Sequence, residues 1–180
     1  LDLDRWHAEP DDHERVLLGR VADPVLDIGC GPGRIVRALA STGRLALGID
    51  PAPALAHEGA RRGAPILRRS VFAHLPGEGR WGTALLLDGN VGIGGDPVTL
   101  LRRCRDLLRP GGTVVAEIAP PGTATAPMTV RVETRDAAGP WFRWAVVGVD
   151  DWPRLAREAG FGDAEVHAAG CRWFGEAARP

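Results

Sequence analysis

Lysine, glutamine and tyrosine are absent from these 180 residues, and asparagine and methionine occur once each, as Asn90 and Met128. With no lysine there is no Walker-type phosphate loop and no Schiff-base chemistry. All 22 basic side chains are arginine, and the heavy use of Arg and Ala is read as a base-composition bias rather than a functional signal. Only three cysteines are present, Cys30, Cys104 and Cys171. They are far apart, odd in number and in no C-x-x-C pair, which argues against a disulfide framework or a zinc site, so no metal is expected. No apolar run approaches the length of a membrane span, and the opening residues carry no charged-then-apolar leader. The expected setting is the cytoplasm. The chain opens at Leu1, so the expectation is that native residues precede it. A formal net charge of -1 gives no reason to expect nucleic acid or an anionic membrane as partner.

What is present is ordinary for a globular protein, 44% hydrophobic and 25% charged. The length suits a single domain over residues 1–180. The informative stretch is Val25-Leu26-Asp27-Ile28-Gly29-Cys30-Gly31-Pro32-Gly33-Arg34. A short apolar run ends in glycines on alternate positions, and Ile35, Val36, Leu39 and Ala40 then repeat at helical spacing. This reads as buried strand, tight turn and helix, the opening unit of a parallel α/β sheet. Bare backbone at such a turn lets a ligand approach, and the helix that follows presents free N–H groups to it. The spacing is G-x-G-x-G, with Arg34 where a dinucleotide fingerprint would place its third glycine.

Asp27-x-Gly29-x-Gly31-x-Gly33, together with Asp50 at the end of the next apolar run, resembles class I S-adenosylmethionine-dependent methyltransferases. The resemblance runs from about Trp6 to the C-terminus and includes the L-L-R-P-G-G junction at 107–112. It implies S-adenosylmethionine as cofactor, held by Asp27, Gly29, Cys30, Gly31, Gly33, Asp50 and Pro51, with Asp50 accepting the ribose hydroxyls. The rival role for Asp50 is a helix N-cap. Ser70-Val71 stands where many relatives place an acid against adenine, so there backbone groups and apolar packing would take over. Asp88-Gly89-Asn90 occupies the position beside the transferring methyl; Asn90 reads either as a contact to methionine or substrate, or as a turn residue.

The rest of the chain fits a doubly wound, mostly parallel, Rossmann-like seven-stranded sheet with an antiparallel last strand and a β-hairpin inserted after strand five. Residues 1–20 are expected to form an N-terminal lid and helix, with Asp11 and Asp12 opening a helix to about Leu18. Strands are expected at Leu45–Ile49, Ile66–Val71, Thr83–Leu87, Thr113–Ile118, Ala164–His167 and Arg172–Gly175. Helices are expected from Arg34 to Ser41, Pro53 to Gly63, Asp96 onward and Asp151 to Ala159. The insertion, 120–149, is expected to pair Met128–Arg135 with Trp141–Val147 through a turn at 136–140. Arg61-Arg62, Arg68-Arg69 and Arg102-Arg103-Arg105 read as solvated faces. The glycine run Gly92–Gly95 reads as a loop that must pass close to something, ahead of a second anion-binding nest.

The implied reaction is in-line displacement onto a small-molecule acceptor, for which alignment matters more than covalent chemistry. His7, His13 and Asp88 are the candidate bases. Trp6, Asn90, Trp141 and Trp144 are candidate substrate contacts, the hairpin aromatics serving either as an acceptor wall or as packing for the hairpin or a dimer contact. The chain is expected to be a monomer or homodimer. A non-catalytic module that binds S-adenosylmethionine or S-adenosylhomocysteine is the alternative reading, and a nicotinamide-dependent oxidoreductase a more distant one.

Overall fold

The computed structural model describes residues 6–133 and 138–180. In chain order the elements are α1 (Asp12–Arg20), β1 (Val25–Ile28), α2 (Arg34–Ser41), β2 (Ala46–Asp50), α3 (Pro53–Arg61), β3 (Ile66–Arg68) and β4 (Trp81–Leu86). A 3-10 segment at Asn90–Gly95 leads to α4 (Pro97–Leu107), β5 (Leu108–Ile118), β6 (Ala126–Val130) and β7 (Phe142–Val146). A short 3-10 turn at Val149–Asp151 precedes α5 (Trp152–Glu158), β8 (Ala164–Ala169) and β9 (Arg172–Ala178).

Seven strands form one sheet in the order β3-β2-β1-β4-β5-β9-β8, and β6 and β7 form a separate hairpin. β1 to β5 pair in parallel, whereas β9 runs antiparallel to both β5 and β8. The expected α/β architecture is therefore present, with its antiparallel final strand. Parallel pairing brings the ends of β1 to β5 to one edge, where an open sheet of this type offers a crevice.

Side-chain alternation divides the core between the two faces. Leu26, Ile28, Leu86, Val114 and Ala116 pack with Leu100, Leu101, Leu107 and Trp152 of α4 and α5. Val25, Leu85, Leu87 and Val115 pack instead with Leu17, Leu18, Ile35, Val36 and Leu39 of α1 and α2. Asp27 is two residues from Val25, so its carboxylate belongs to the α1–α2 face. Asp11 caps α1 by accepting the Glu14 N–H at 2.8 Å, and Glu14 returns the bond to the Asp11 N–H at 3.0 Å. Such a reciprocal cap satisfies two otherwise orphaned donors.

Several boundaries differ from those expected. α1 continues through Gly19 to Arg20, because its capping box and the burial of Leu17 and Leu18 outweigh one glycine. β3 stops at Arg68 rather than Val71, as the Ser70 hydroxyl turns the chain by accepting the Phe72 N–H. β4 begins at Trp81 and ends at Leu86. β5 begins at Leu108: the expected turn at 109–112 is an excursion within the ladder, where β4 advances from Trp81 to Thr83 while its partner goes from Leu108 to Thr113. α5 starts at Trp152, and β8 and β9 run on to Ala169 and Ala178. In the insertion the first strand is earlier than expected, Ala126–Val130, and Trp141 precedes the second. The expected turn at 136–140, the end of the expected strand 128–135 and the start of the expected lid lie partly outside the described residues. Arg103 is no solvated charge: it donates to the carbonyls of Val71 and Ala73 and so clamps the loop after β3.

Candidate functional site

The turn after β1 is built from left-handed glycines, Gly29 at φ 73°, Gly31 at 55° and Gly33 at 78°. Their reasons for being glycine differ. A Cβ on Gly29 would come within 2.7–3.1 Å of the Asn90 amide, and one on Gly33 would collide with Ile66 and Ala64. These two glycines serve the protein's own packing. A Cβ on Gly31 would meet nothing within 4 Å. Gly31 is thus the point at which the turn shows bare backbone to open space, where a bound group can lie against it.

Asp50 closes β2 directly beside this point. Its Oδ2 accepts the Gly31 N–H at 3.1 Å and its Oδ1 accepts the Ala52 N–H at 2.8 Å. The α3 N-cap is Ala52, with Pro53 beginning the helix. Asp50 is therefore not the cap but a link between two strand-end loops. Burial raises its pKa, an effect opposed by the bonds from Ala52 and Gly31. Each carboxylate oxygen keeps further lone-pair capacity for a hydroxyl donor.

Asp27 is 3% exposed. Burial is the chief cause that pushes its carboxyl up to about 7; Arg34 opposes the rise, and Asp88 and Asp50 add to it. A buried carboxyl of this kind gains from a cationic partner. Cys30 fills space against Gly48 and its thiol is pushed far up by burial, so it is inert packing. Pro51 is exposed, Ser70 is exposed and Val71 is buried, so a flat apolar group could meet this loop at few points.

Asn90 reaches across from the β4 loop and donates to the carbonyls of Ile28, at 3.0 Å, and Gly29, at 2.9 Å. Both donors of its amide are spent on holding the glycine turn. Asp88 lies at φ 53°, the one non-glycine residue with a left-handed backbone among those described. The Asp88 N–H donates to Glu117 at the end of β5 at 2.8 Å, and its carboxylate accepts from Arg34 at 3.0 Å.

Arg34 and Asp88 are part of a larger network. Glu14, 1% exposed, accepts from both guanidinium ends of Arg34 at 2.6 and 2.7 Å. Burial alone would raise Glu14, but Arg34 and the Asp11 N–H outweigh it and hold the carboxyl at about 2. Arg172 bonds Glu117 at 2.8 and 2.6 Å and Asp11 at 3.0 Å, and lies 3.1 Å from Glu14. α1 is in this way fastened over the ends of β1, β4 and β5. Glu14, Arg34 and Arg172 were not singled out from sequence as site residues, whereas Glu117 was expected at the cavity as the start of the loop after strand five. The burial of Arg34, at 5% exposure, depends on an α1 carboxylate twenty residues away.

The candidate bases are not brought together. His7 Nδ1 lies 3.3 Å from Glu58 on α3. His13 is exposed and packs against Gly170 in the β8–β9 turn. Trp6 is half-buried. Trp141 is 61% exposed with the Arg131 guanidinium 4.7 Å from its ring centroid. Trp144 is placed differently: with Gly89, Val91, Glu117, Ile118 and Val146 it lines a cavity of about 240 Å³ at the ends of β4 and β5. The glycine run lets the hairpin come this close. A Cβ at Gly92 would overlap the Ala145 carbonyl and the Trp144 indole, and one at Gly95 would crowd Arg143. A larger depression of about 440 Å³ lies between α3 and the β3 edge, and none of the turn glycines, Asp50 or Asp88 lines it.

A methyltransferase-domain family model matches residues 25–112, from the start of β1 to the excursion in β5. The ubiquinone biosynthesis O-methyltransferase of Cereibacter sphaeroides is 30% identical over 138 residues, 73% of this chain and 53% of that protein. The chain spans about half the length of the curated relatives it matches. An S-adenosylmethionine-dependent methyltransferase from Bacteroides fragilis, solved with S-adenosylhomocysteine, is similar at a TM-score of 0.82 and 21% identity, over 98% of this chain and 81% of that one. The 1,6-didemethyltoxoflavin-N1-methyltransferase of Burkholderia thailandensis, solved with 1,6-didemethyltoxoflavin and S-adenosylhomocysteine, gives 0.62 and 24%, over 92% and 74%. Fold, glycine turn and strand-end acid agree with these matches, and residues 25–112 of the chain belong to the methyltransferase-domain family.

Proposed function

We propose that this chain binds S-adenosylmethionine at the Gly29–Gly33 turn and transfers its methyl group to a small-molecule acceptor. The observation that carries the reading is the open space over Gly31 with the Asp50 carboxylate beside it. When bound, the cofactor supplies a sulfonium methyl that is already electrophilic. The chain's residues then have to hold, align and exclude water. Asp50 would accept the ribose hydroxyls, and Asp27 would pair with the methionine ammonium, which returns a buried carboxyl to its charged form. Gly29, Gly31, Gly33, Cys30 and Pro51 shape the floor, Val71 and Ser70 border the adenine side, and Gly89 and Asn90 border the methionine side.

Of the three candidate bases, Asp88 is the one beside both Arg34 and the cavity residue Glu117. We assign it any help in proton removal and give His7 and His13 no part in the reaction. Room beside the β4 and β5 ends supports a catalytic protein over a non-catalytic cofactor binder. The names of similar proteins, one acting in ubiquinone biosynthesis and one on 1,6-didemethyltoxoflavin, support a small-molecule acceptor. Calorimetry with S-adenosylhomocysteine and with NAD tests the first half. Binding of the former alone supports the reading; binding of NAD alone replaces it with the oxidoreductase alternative. Methyl transfer from labelled cofactor into pools of small acceptors tests the second half.

A further inference from the structure

The connection from β3 to β4 starts beside the acid that closes β2: the Arg69 N–H donates to the Asp50 carbonyl at 3.1 Å. No helix or strand intervenes before Trp81. Its shape is imposed by one side chain from outside. Arg103, half-buried on α4, donates from Nε to the Val71 carbonyl at 2.9 Å and from a terminal nitrogen to the Ala73 carbonyl at 2.8 Å. The same guanidinium pairs with Glu78, whose carboxylate also accepts the Leu75 N–H at 2.9 Å. One planar fork thus ties residues 71, 73, 75 and 78 into a single arrangement.

The fork keeps its charge partner across the neutral range. The hydrogen bond from Arg103 is the chief cause that holds the Glu78 carboxyl at about 2, with the Leu75 N–H adding to it. The clamped segment also meets the loop after β4, since a Cβ on Gly94 would come within 3.0–3.1 Å of the Phe72 ring. Within the segment the Ser70 hydroxyl accepts the Phe72 N–H at 3.3 Å, and the Ser70 carbonyl accepts the Ala73 N–H at 3.1 Å. The carbonyls of Ser70, Val71 and Ala73 are therefore all engaged within the protein. Residue 70 brings no carboxylate that could turn to follow a ligand. A segment so built reads a flat polar ring by the placing of its remaining backbone groups, and that placing is only as good as the bonds that fix it.

We propose that Arg103 is a positioning residue for the cofactor's base: from α4 it sets the shape of residues 70–73, and that shape separates adenine from other purines. The inference rests on the methyl-transfer reading, with the adenine at this loop. Arg103 acts through the Val71 and Ala73 carbonyls and not by contact with the base. A merely supporting side chain would, when lost, weaken every ligand of the site alike. A positioning one makes the loss depend on the base.

The test titrates the full chain by calorimetry with S-adenosylhomocysteine and with S-inosylhomocysteine, which carries an oxo group and a ring N–H where adenine has an amino group and a ring acceptor. The unaltered chain is expected to prefer the adenosyl compound at least about tenfold, the scale of one hydrogen bond made in one complex and left unpaired in the other. In Arg103→Met, which keeps the length without the donors, the preference is expected to fall below about threefold. Arg103→Lys, which can still reach one carbonyl, should restore part of it. Glu78→Gln loosens the fork without removing it. It should reduce the preference by about half, and it decides the matter if Arg103→Met does not fold. An unchanged preference in the folded variants, or equal losses for both compounds, overturns the proposal. So does an unaltered chain that binds both compounds equally. If the unaltered chain binds neither compound, the methyl-transfer reading falls and takes this inference with it.

Discussion

The Oδ2 of Asp50 accepts the N–H of Gly31 at 3.1 Å, joining the end of the second strand to the bend after the first. One carboxylate thus fixes the bend at the residue over which space is open. Asp50→Ala is expected to weaken S-adenosylhomocysteine binding by about 1.5–3 kcal/mol, the scale of hydrogen bonds to a charged group. Calorimetry checks this, and an unchanged affinity would remove Asp50 from the site.

Gly31→Val places a Cβ where, beyond its two chain neighbours, no protein atom lies within 4 Å. The left-handed backbone at φ 55° costs such a residue about 1–2 kcal/mol, so some loss of stability is expected. The larger effect is on binding, which should fall below detection in a chain that circular dichroism shows still folded. A folded variant that binds normally would mean that nothing lies over Gly31.

The pH dependence of the ligand-free protein should carry the mark of Asp27. Its folded pKa, about 7, lies above the ordinary 3.8. The folded state therefore holds a proton that the unfolded chain releases, and this contribution to stability fades as pH rises from about 4 through about 7. Asp27→Asn should remove that part of the slope in urea titrations. Saturation with S-adenosylhomocysteine, whose ammonium would favour the charged carboxylate, should reduce it as well.

Glu14 acts in the other direction. Its folded pKa, about 2, lies below the ordinary 4.5, so its contribution is present above 4.5 and is lost as pH falls toward 2. Glu14→Ala leaves Arg34 and Arg172 without a buried counter-charge. The expected cost is about 3–5 kcal/mol at neutral pH, the range for a broken buried pair. A loss below 1 kcal/mol in denaturant unfolding would show that Asp88, Asp11 and Glu117 suffice.

Gly92→Ala should separate the hairpin from the 3-10 segment, because its Cβ would overlap the Ala145 carbonyl. Acceptor turnover is expected to fall at least tenfold while S-adenosylhomocysteine binding stays within twofold. Loss of both together would mean that the hairpin supports the whole sheet edge.

The sheet was legible because its signals are local. Val25–Ile28 and the aliphatic run of β4 are short and bounded by turn residues, and the Asp96-Pro97 cap lies within one turn of the helix it starts. Asp50 was legible for the same reason, as an acid that ends an apolar run. The ion network was not. Glu14 and Arg34 carry no local mark of burial, and Arg172 meets Asp11 across 161 positions of chain. Asn90 was visible as a candidate but not in its structural task, since nothing near position 90 tells that its amide reaches back to Ile28 and Gly29. Strand ends shifted where a side chain made a turn, as at Ser70, or where an excursion was absorbed within the β4–β5 pairing.

The amide of Asn90 meets two carbonyl oxygens and gives a hydrogen to each. Aspartate has almost the same outline but would set oxygen against oxygen, with nothing to share between them. At this one position a change of a single atom type would pry apart the loop after the fourth strand and the glycine bend after the first.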